Sequence, residues 1–121
     1  MAVDLVHVVF DCRDPQRQAA FWAAVLGRPV DPGASELFAS IGHDEPSGGR
    51  PAWLFVKVTE PKAAKNRVHV DLAADDRGAE VARLIELGAT FVSDHEEWGA
   101  RWTVLLDPEA NEFCVTARPI G

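Results

Sequence analysis

Short β-rich runs recur along the chain, and in several of them apolar and polar residues alternate with the period of two expected of a half-buried strand. Helical spacing takes over at Ala20, Phe21, Ala24 and Val25, and again at Val81, Leu84 and Ile85. Asp14 stands where an N-cap is needed, Pro15 sits at N1 where its missing N–H is harmless, and Gly27 suits the left-handed C′ position. These signals predict a strand over 5–11, a helix from Asp14-Pro15 to Gly27, short strands over 28–30 and 37–41, and a strand over 52–58. The Gly-, Pro- and Ser-rich segment from His43 to Pro51 predicts a turn or loop. After a link at Glu60–Asn66 the plan repeats: a strand over 67–72, a helix capped by Asp75 or Asp76 and closed by Gly88, and strands over 90–93, 101–106 and 112–116. Asp107-Pro108-Glu109-Ala110-Asn111 is turn chemistry between the last two strands.

Each half therefore reads β-α-β-β-β, two copies of one supersecondary unit. His7-Val8-Val9-Phe10-Asp11 opens the first copy and His69-Val70-Asp71-Leu72 the second, so His7 and His69 hold equivalent places. Module one covers about 1–60 and module two about 66–118, within a single domain over 1–121 because no linker is long enough to separate them. Alternation assigns Val6, Val8, Phe10, Leu54, Val56, Val58, Val68, Val70, Leu72, Phe113 and Val115 to the helix-covered faces. The opposite parity carries His7, Trp53, Phe55, Lys57, His69, Asp71, Glu112, Cys114 and Thr116. This mixture of aromatic and ionisable groups predicts a cavity wall, neither an ordinary core nor an ordinary solvent face.

Composition narrows the class. At 121 residues, 47% hydrophobic and 26% charged, the chain has the make-up of a soluble globular domain. A net charge of −7 argues against a nucleic-acid partner. No apolar run approaches the roughly 20 residues of a membrane span, so no membrane association is expected. Met1–Leu5 lacks the regions of a signal peptide, and Cys12 and Cys114 read as reduced thiols, which points to the cytoplasm.

The chain resembles the vicinal oxygen chelate superfamily, the glyoxalase/bleomycin-resistance/dioxygenase fold, and within it the small bacterial glyoxalase-like proteins. The resemblance rests on His7-Val8-Val9-Phe10-Asp11, on Asp14-Pro15 leading to Phe21-Trp22 and Leu26-Gly27, and on Asn66-Arg67-Val68-His69-Val70-Asp71-Leu72. Leu87-Gly88-Ala89-Thr90 and Leu106-Asp107-Pro108-Glu109-Ala110-Asn111-Glu112-Phe113 complete it. It implies an α+β fold of two βαβββ modules forming a half-open barrel around a cup. In metal-dependent relatives the ligands stand on the first and fourth strands of each module. Here those places fall on His7, on or beside Phe55, on His69 and on Cys114, with Glu112 two residues before Cys114 on the same predicted face. The resemblance thus implies His7 and His69 with Cys114 for zinc, or with Glu112 for iron, as the ligand set of any divalent metal.

For function, His7 and His69 are the candidate catalytic pair, suited to proton transfer near neutral pH. Trp53, Phe55, Lys57, Asp71, Trp102, Glu112 and Cys114 are candidate ligand-binding residues. The reading is an isomerase, lyase or dioxygenase-like activity on an oxygen-bearing small molecule. The alternative is a non-catalytic ligand- or antibiotic-binding protein of the bleomycin-resistance kind. Trp98 reads as a lid in a turn, Trp22 as core or dimer contact, Arg50 as a solvated loop arginine, and Asp94-His95-Glu96-Glu97 as a solvated turn, with no role for His43 or His95. Edge strands and aromatics such as Trp22, Trp98 and Trp102 lead to the expectation of a homodimer.

Overall fold

A computed structural model describes residues 2–44 and 51–118, so Arg50 lies outside the described residues. The chain forms two compact units, Met1–Pro61 and Lys62–Gly121. The fold is α+β, with two helices and two open sheets among the described residues. No helix among the described residues is long and apolar enough to cross a membrane.

The first unit contains β1 (His7–Cys12), α1 (Pro15–Leu26), β2 (Phe38–Ile41) and β3 (Ala52–Lys57). The sheet order is β1-β3-β2, with β1 parallel and β2 antiparallel to β3. Helix α1 starts where Asp14 accepts a hydrogen bond from the Arg17 N–H at 3.1 Å. It ends in a Schellman motif, with Gly27 at φ 65° and the N–H groups of Gly27 and Arg28 donating to Ala24 and Ala23. Phe21, Trp22, Ala23 and Val25 are buried beneath it, whereas Ala20 and Ala24 are exposed. The apolar stripe is thus turned from the expected one, because Trp22 anchors it. The ring of Phe10 lies 5.7 Å from Trp22, 5.4 Å from Trp53 and 5.2 Å from Phe55.

That cluster corrects two expectations. Trp53 and Phe55, expected on the cavity-facing side, lie on the helix-covered side, and Phe55 is fully buried. The parallel register pairs Val8 with Trp53 and Phe10 with Phe55, so these four share a face while Leu54 and Val56 take the other. Both parities of β3 are apolar, so alternation alone carried no information about its facing. The strand expected over 28–30 does not form, leaving this unit β-α-β-β. Instead Asp31 staples the segment: its carboxylate accepts from Ser40 Oγ at 2.7 Å and from the N–H groups of Gly42 and His43. Burial opposes ionisation of Asp31, but these hydrogen bonds outweigh it and hold its carboxyl below the usual range.

The second unit contains β4 (Asp71–Ala74), α2 (Arg77–Leu87), β5 (Thr90–Glu97), β6 (Ala100–Leu106) and β7 (Glu112–Ala117). The order is β4-β7-β6-β5, with β4 parallel to β7 and the other pairs antiparallel. Asp76 caps α2 through the Ala79 N–H at 3.0 Å, and Gly88 closes it with a second Schellman motif. Leu84, Leu105, Phe113 and Val115 form the core on the helix side. Asp107, 3% exposed, holds the β6–β7 turn by accepting from the N–H groups of Glu109 and Asn111 and from the Asn111 side chain. The first strand of this unit starts at Asp71, later than the expected 67, and Val68 is 82% exposed. The cause is Asn66, whose side chain binds both backbone groups of Glu112 and the Val68 carbonyl, pulling the chain into a bend.

Candidate functional site

In the second unit the strand registers put the ionisable and aromatic residues on the face opposite α2. Asp71 pairs with Cys114, Ala73 with Thr116, Val104 with Cys114 and Trp102 with Thr116. Directly paired residues share a face, so Asp71, Cys114, Thr116 and Trp102 form one surface. This is the parity expected from alternation in β4 and β7. Together with His69 and Ala100 they line a cavity of about 320 Å³. His69 lies just before β4, where the Cys114 N–H donates to the Val70 carbonyl at 3.0 Å and carries the ladder one residue further.

His69, Asp71 and Cys114 converge at one side of this cavity. His69 Nε2 lies 3.2 Å from Asp71 Oδ1. The imidazole nitrogen, carboxylate oxygen and thiol sulfur all lie within 4.8 Å of one another. Cys114 is 8% exposed, and burial pushes its thiol pKa up; the charge of Asp71 and the hydrogen bond the thiol donates to it add to the rise, against a smaller lowering by Lys65. Burial and Asp71 thus both favour the thiol form over the thiolate, and the S–H donates to Asp71.

Glu112 shares the parity of Cys114 but its carboxylate is engaged elsewhere. Oε1 accepts from Lys62 Nζ at 3.1 Å and from the Asn66 N–H at 3.2 Å. Burial works against its ionisation, yet the bonds from Asn66 and Lys62 prevail and keep its carboxyl below the usual range. Trp53 and Phe55 lie against Phe10 and Trp22, and Lys57 is exposed at the end of β3. His7 belongs to the first unit, where its ring meets His43 edge-on at 5.1 Å. Sequence reasoning gave His43 no role; the contact joins residues on β1 and after β2, which only the fold brings together.

A second feature that the sequence pattern did not reveal is the β5–β6 hairpin. The acidic run Asp94–Glu97, expected as a solvated turn, is the end of strand β5. His95 pairs directly with Trp102 and stacks on it, centroids 5.2 Å apart and planes at 15°. His95 Nε2 shares a 2.8 Å hydrogen bond with Ser93 Oγ. Trp98 and Gly99 form the two-residue connection, with φ of 52° and 75°. Positive φ at both positions is the type I′ pattern, which favours Asn-Gly and strains a bulky residue. Trp98 is 90% exposed, and its indole lies parallel to that of Trp102 at 8° and 6.3 Å.

The family described as Glyoxalase-like domain matches residues 7–116. Solved structures of the same fold include a glyoxalase/bleomycin resistance protein/dioxygenase family enzyme from Burkholderia phytofirmans PsJN, with TM-score 0.74 and 23% identity over 95% of this chain and 98% of that one. A fosfomycin resistance protein, FosX, from Listeria monocytogenes aligns with TM-score 0.74 and 12% identity, covering 99% and 97% of the two chains. A lactoylglutathione lyase from Agrobacterium tumefaciens aligns with TM-score 0.65 and 16% identity over 94% and 92%. A search of curated protein sequences gave no match.

Proposed function

The chain belongs to the glyoxalase-like domain family of the vicinal oxygen chelate superfamily, and on that premise we propose that it is a small-molecule enzyme acting on an oxygen-bearing ligand held on the open face of its second unit. The observation that carries this reading is the convergence of His69, Asp71 and Cys114 on a cavity whose other side is Trp102. Asp71 on Nε2 favours the tautomer with a lone pair on Nδ1, leaving that nitrogen to take a proton. The carboxylate then steadies the imidazolium, as an orienting acid does for a general base. A proton leaves the ligand carbon beside a carbonyl for Nδ1, and the negative charge moves to the carbonyl oxygen. The Cys114 thiol and the Thr116 hydroxyl line the cavity and would serve that oxygen by turning from their present acceptors, Asp71 and the Arg101 carbonyl. This is isomerase- or lyase-type chemistry, in keeping with the lyase among proteins of the same fold.

A divalent metal fits the same corner. One nitrogen, one oxygen and one sulfur donor within 4.8 Å is a set that zinc accepts with a position left open. This set differs from the combinations expected from sequence, His7 and His69 with Cys114 or Glu112: within the second unit Asp71 joins His69 and Cys114, while Glu112 is held by Lys62 and Asn66. Bound there, the metal supplies Lewis acidity toward a ligand oxygen. Its binding requires loss of the Cys114 proton and is therefore favoured as pH rises.

The test is deuterium exchange. In D2O, a panel of α-hydroxy ketones and aldehydes is followed by proton NMR for loss of the signal beside the carbonyl. Exchange by the native chain that disappears in His69→Ala supports the reading. Exchange that His69→Ala leaves intact sinks it. Ligand binding without exchange favours the second reading, a non-catalytic binder.

A further inference from the structure

The residues that would do chemistry occupy only one side of the cavity. The other side is Trp102, and its surroundings are organised around the indole. In the order β4-β7-β6-β5, strand β5 lies on the side of β6 remote from β7. His95 on β5 therefore backs the Trp102 ring from behind, while Thr116 on β7 stands on the cavity side. The Trp98 ring lies parallel to that of Trp102, with centroids 6.3 Å apart. A tryptophan held at positive φ and almost wholly exposed satisfies neither turn chemistry nor burial. Its one ring contact among the described residues is the stack with Trp102.

We propose that the β5–β6 hairpin is the specificity element of the site, and that Trp102, backed by His95 and joined by Trp98, selects a flat aromatic ligand whose oxygen substituent points to His69. This rests on the reading of the second-unit cavity as the ligand site. A cavity of about 320 Å³ is at the small end of ligand pockets and suits one or two fused rings. A ring laid against Trp102 gains a preorganised stacking surface, since His95 already fixes the indole plane. A substituent crossing the Cys114–Thr116 floor reaches His69 and Asp71. A saturated ring of the same size presents no flat face and loses the stack while keeping the polar contacts.

The experiment uses matched pairs of ligands on the full chain. α-Hydroxyacetophenone is compared with cyclohexyl hydroxymethyl ketone, and benzoyl-substituted carboxylates and amides with their cyclohexyl counterparts, by calorimetry and amide chemical shifts. The expected result is aromatic binding about tenfold tighter, in line with the range for aromatic stacking. Trp102→Leu should bring the ratio close to one. Trp98→Asn, chosen because asparagine fits the turn, should lower it severalfold with the hairpin intact. His69→Ala should weaken both members of a pair alike and leave the ratio unchanged. Equal affinities within every pair, with both lost in His69→Ala, would overturn the selectivity and leave the site standing. Preference for the aromatic member that survives Trp102→Leu in a folded variant would also overturn it. Amide shifts confined to residues away from the cavity would overturn the site as well.

Discussion

Replacing Trp98 by asparagine should stabilise this protein. Trp98 occupies the first central position of a turn in which both central residues have positive φ, 52° and 75°. Left-handed backbone costs an ordinary L-residue about 1–2 kcal/mol, and asparagine much less because its short side chain satisfies the backbone locally. Against this gain stands the lost stack on Trp102. At 6.3 Å between centroids it lies toward the outer end of the useful range; with the ring 90% exposed it merits about 0.5 kcal/mol, the low end for aromatic pairs. Little burial is forfeited. The difference favours the variant by about 0.5–1.5 kcal/mol, or about 3–5 °C in Tm per kcal/mol for a chain of this size. Urea denaturation followed by far-ultraviolet circular dichroism measures it, with an unchanged slope confirming that the denatured state is the same. A midpoint that falls would refute the reasoning and show that the indole stack outweighs the backbone strain. Because the same substitution should reduce aromatic selectivity, the turn is a place where stability yields to function.

Four other outcomes are expected. Phe55→Ala should cost about 3–5 kcal/mol, because a fully buried ring at the centre of the aromatic core leaves a cavity; urea unfolding checks it, and a loss under about 1 kcal/mol would contradict the core placement. Cys114 should resist alkylation at neutral pH, with an inflection above its ordinary value of 9.0 that moves down in Asp71→Asn; since its folded-state pKa is raised, its contribution to stability is full below the ordinary value and fades as pH rises through the folded one. Glu112 has the opposite sign, its folded-state pKa being depressed, so its contribution is present above the ordinary value of 4.5 and is lost as pH falls through the folded one; acid titration of Glu112→Gln should show a shallower loss than the native chain. Ile85, Leu87, Phe91 and Val92 of the second unit are exposed apolar residues, which a second copy is expected to cover; light scattering should give a dimer mass, reduced toward monomer in Phe91→Glu, and a monomer at all concentrations in the native chain removes the dimer.

Local rules made much of this protein legible from its residues alone. Asp14, Pro15 and Gly27, and Asp76 and Gly88, bound the two helices because caps are satisfied by neighbours in sequence. The Asp107–Asn111 turn and the facing of β4 and β7 followed for the same reason: turn chemistry is local, and an alternating strand announces which side is buried. Alternation put Asp71 and Cys114 on one face, whereas Trp102, which lines the same cavity, owes its facing to the pairing of β6 with β7. Other features depended on partners distant in the chain. β3 is apolar on both parities, so only its parallel register with β1 put Trp53 and Phe55 under α1. Glu112 shares a face with Cys114, but Lys62 and Asn66, 50 and 46 residues away, capture its carboxylate. Asn66 likewise ends the alternation at Val68 by a side-chain bond that no periodicity encodes. His95 looked like part of a charged turn until antiparallel pairing carried β5 out to Glu97 and laid its ring on Trp102. Period and capping are properties of contiguous residues; register and the capture of one side chain by another are decided only when the chain closes on itself.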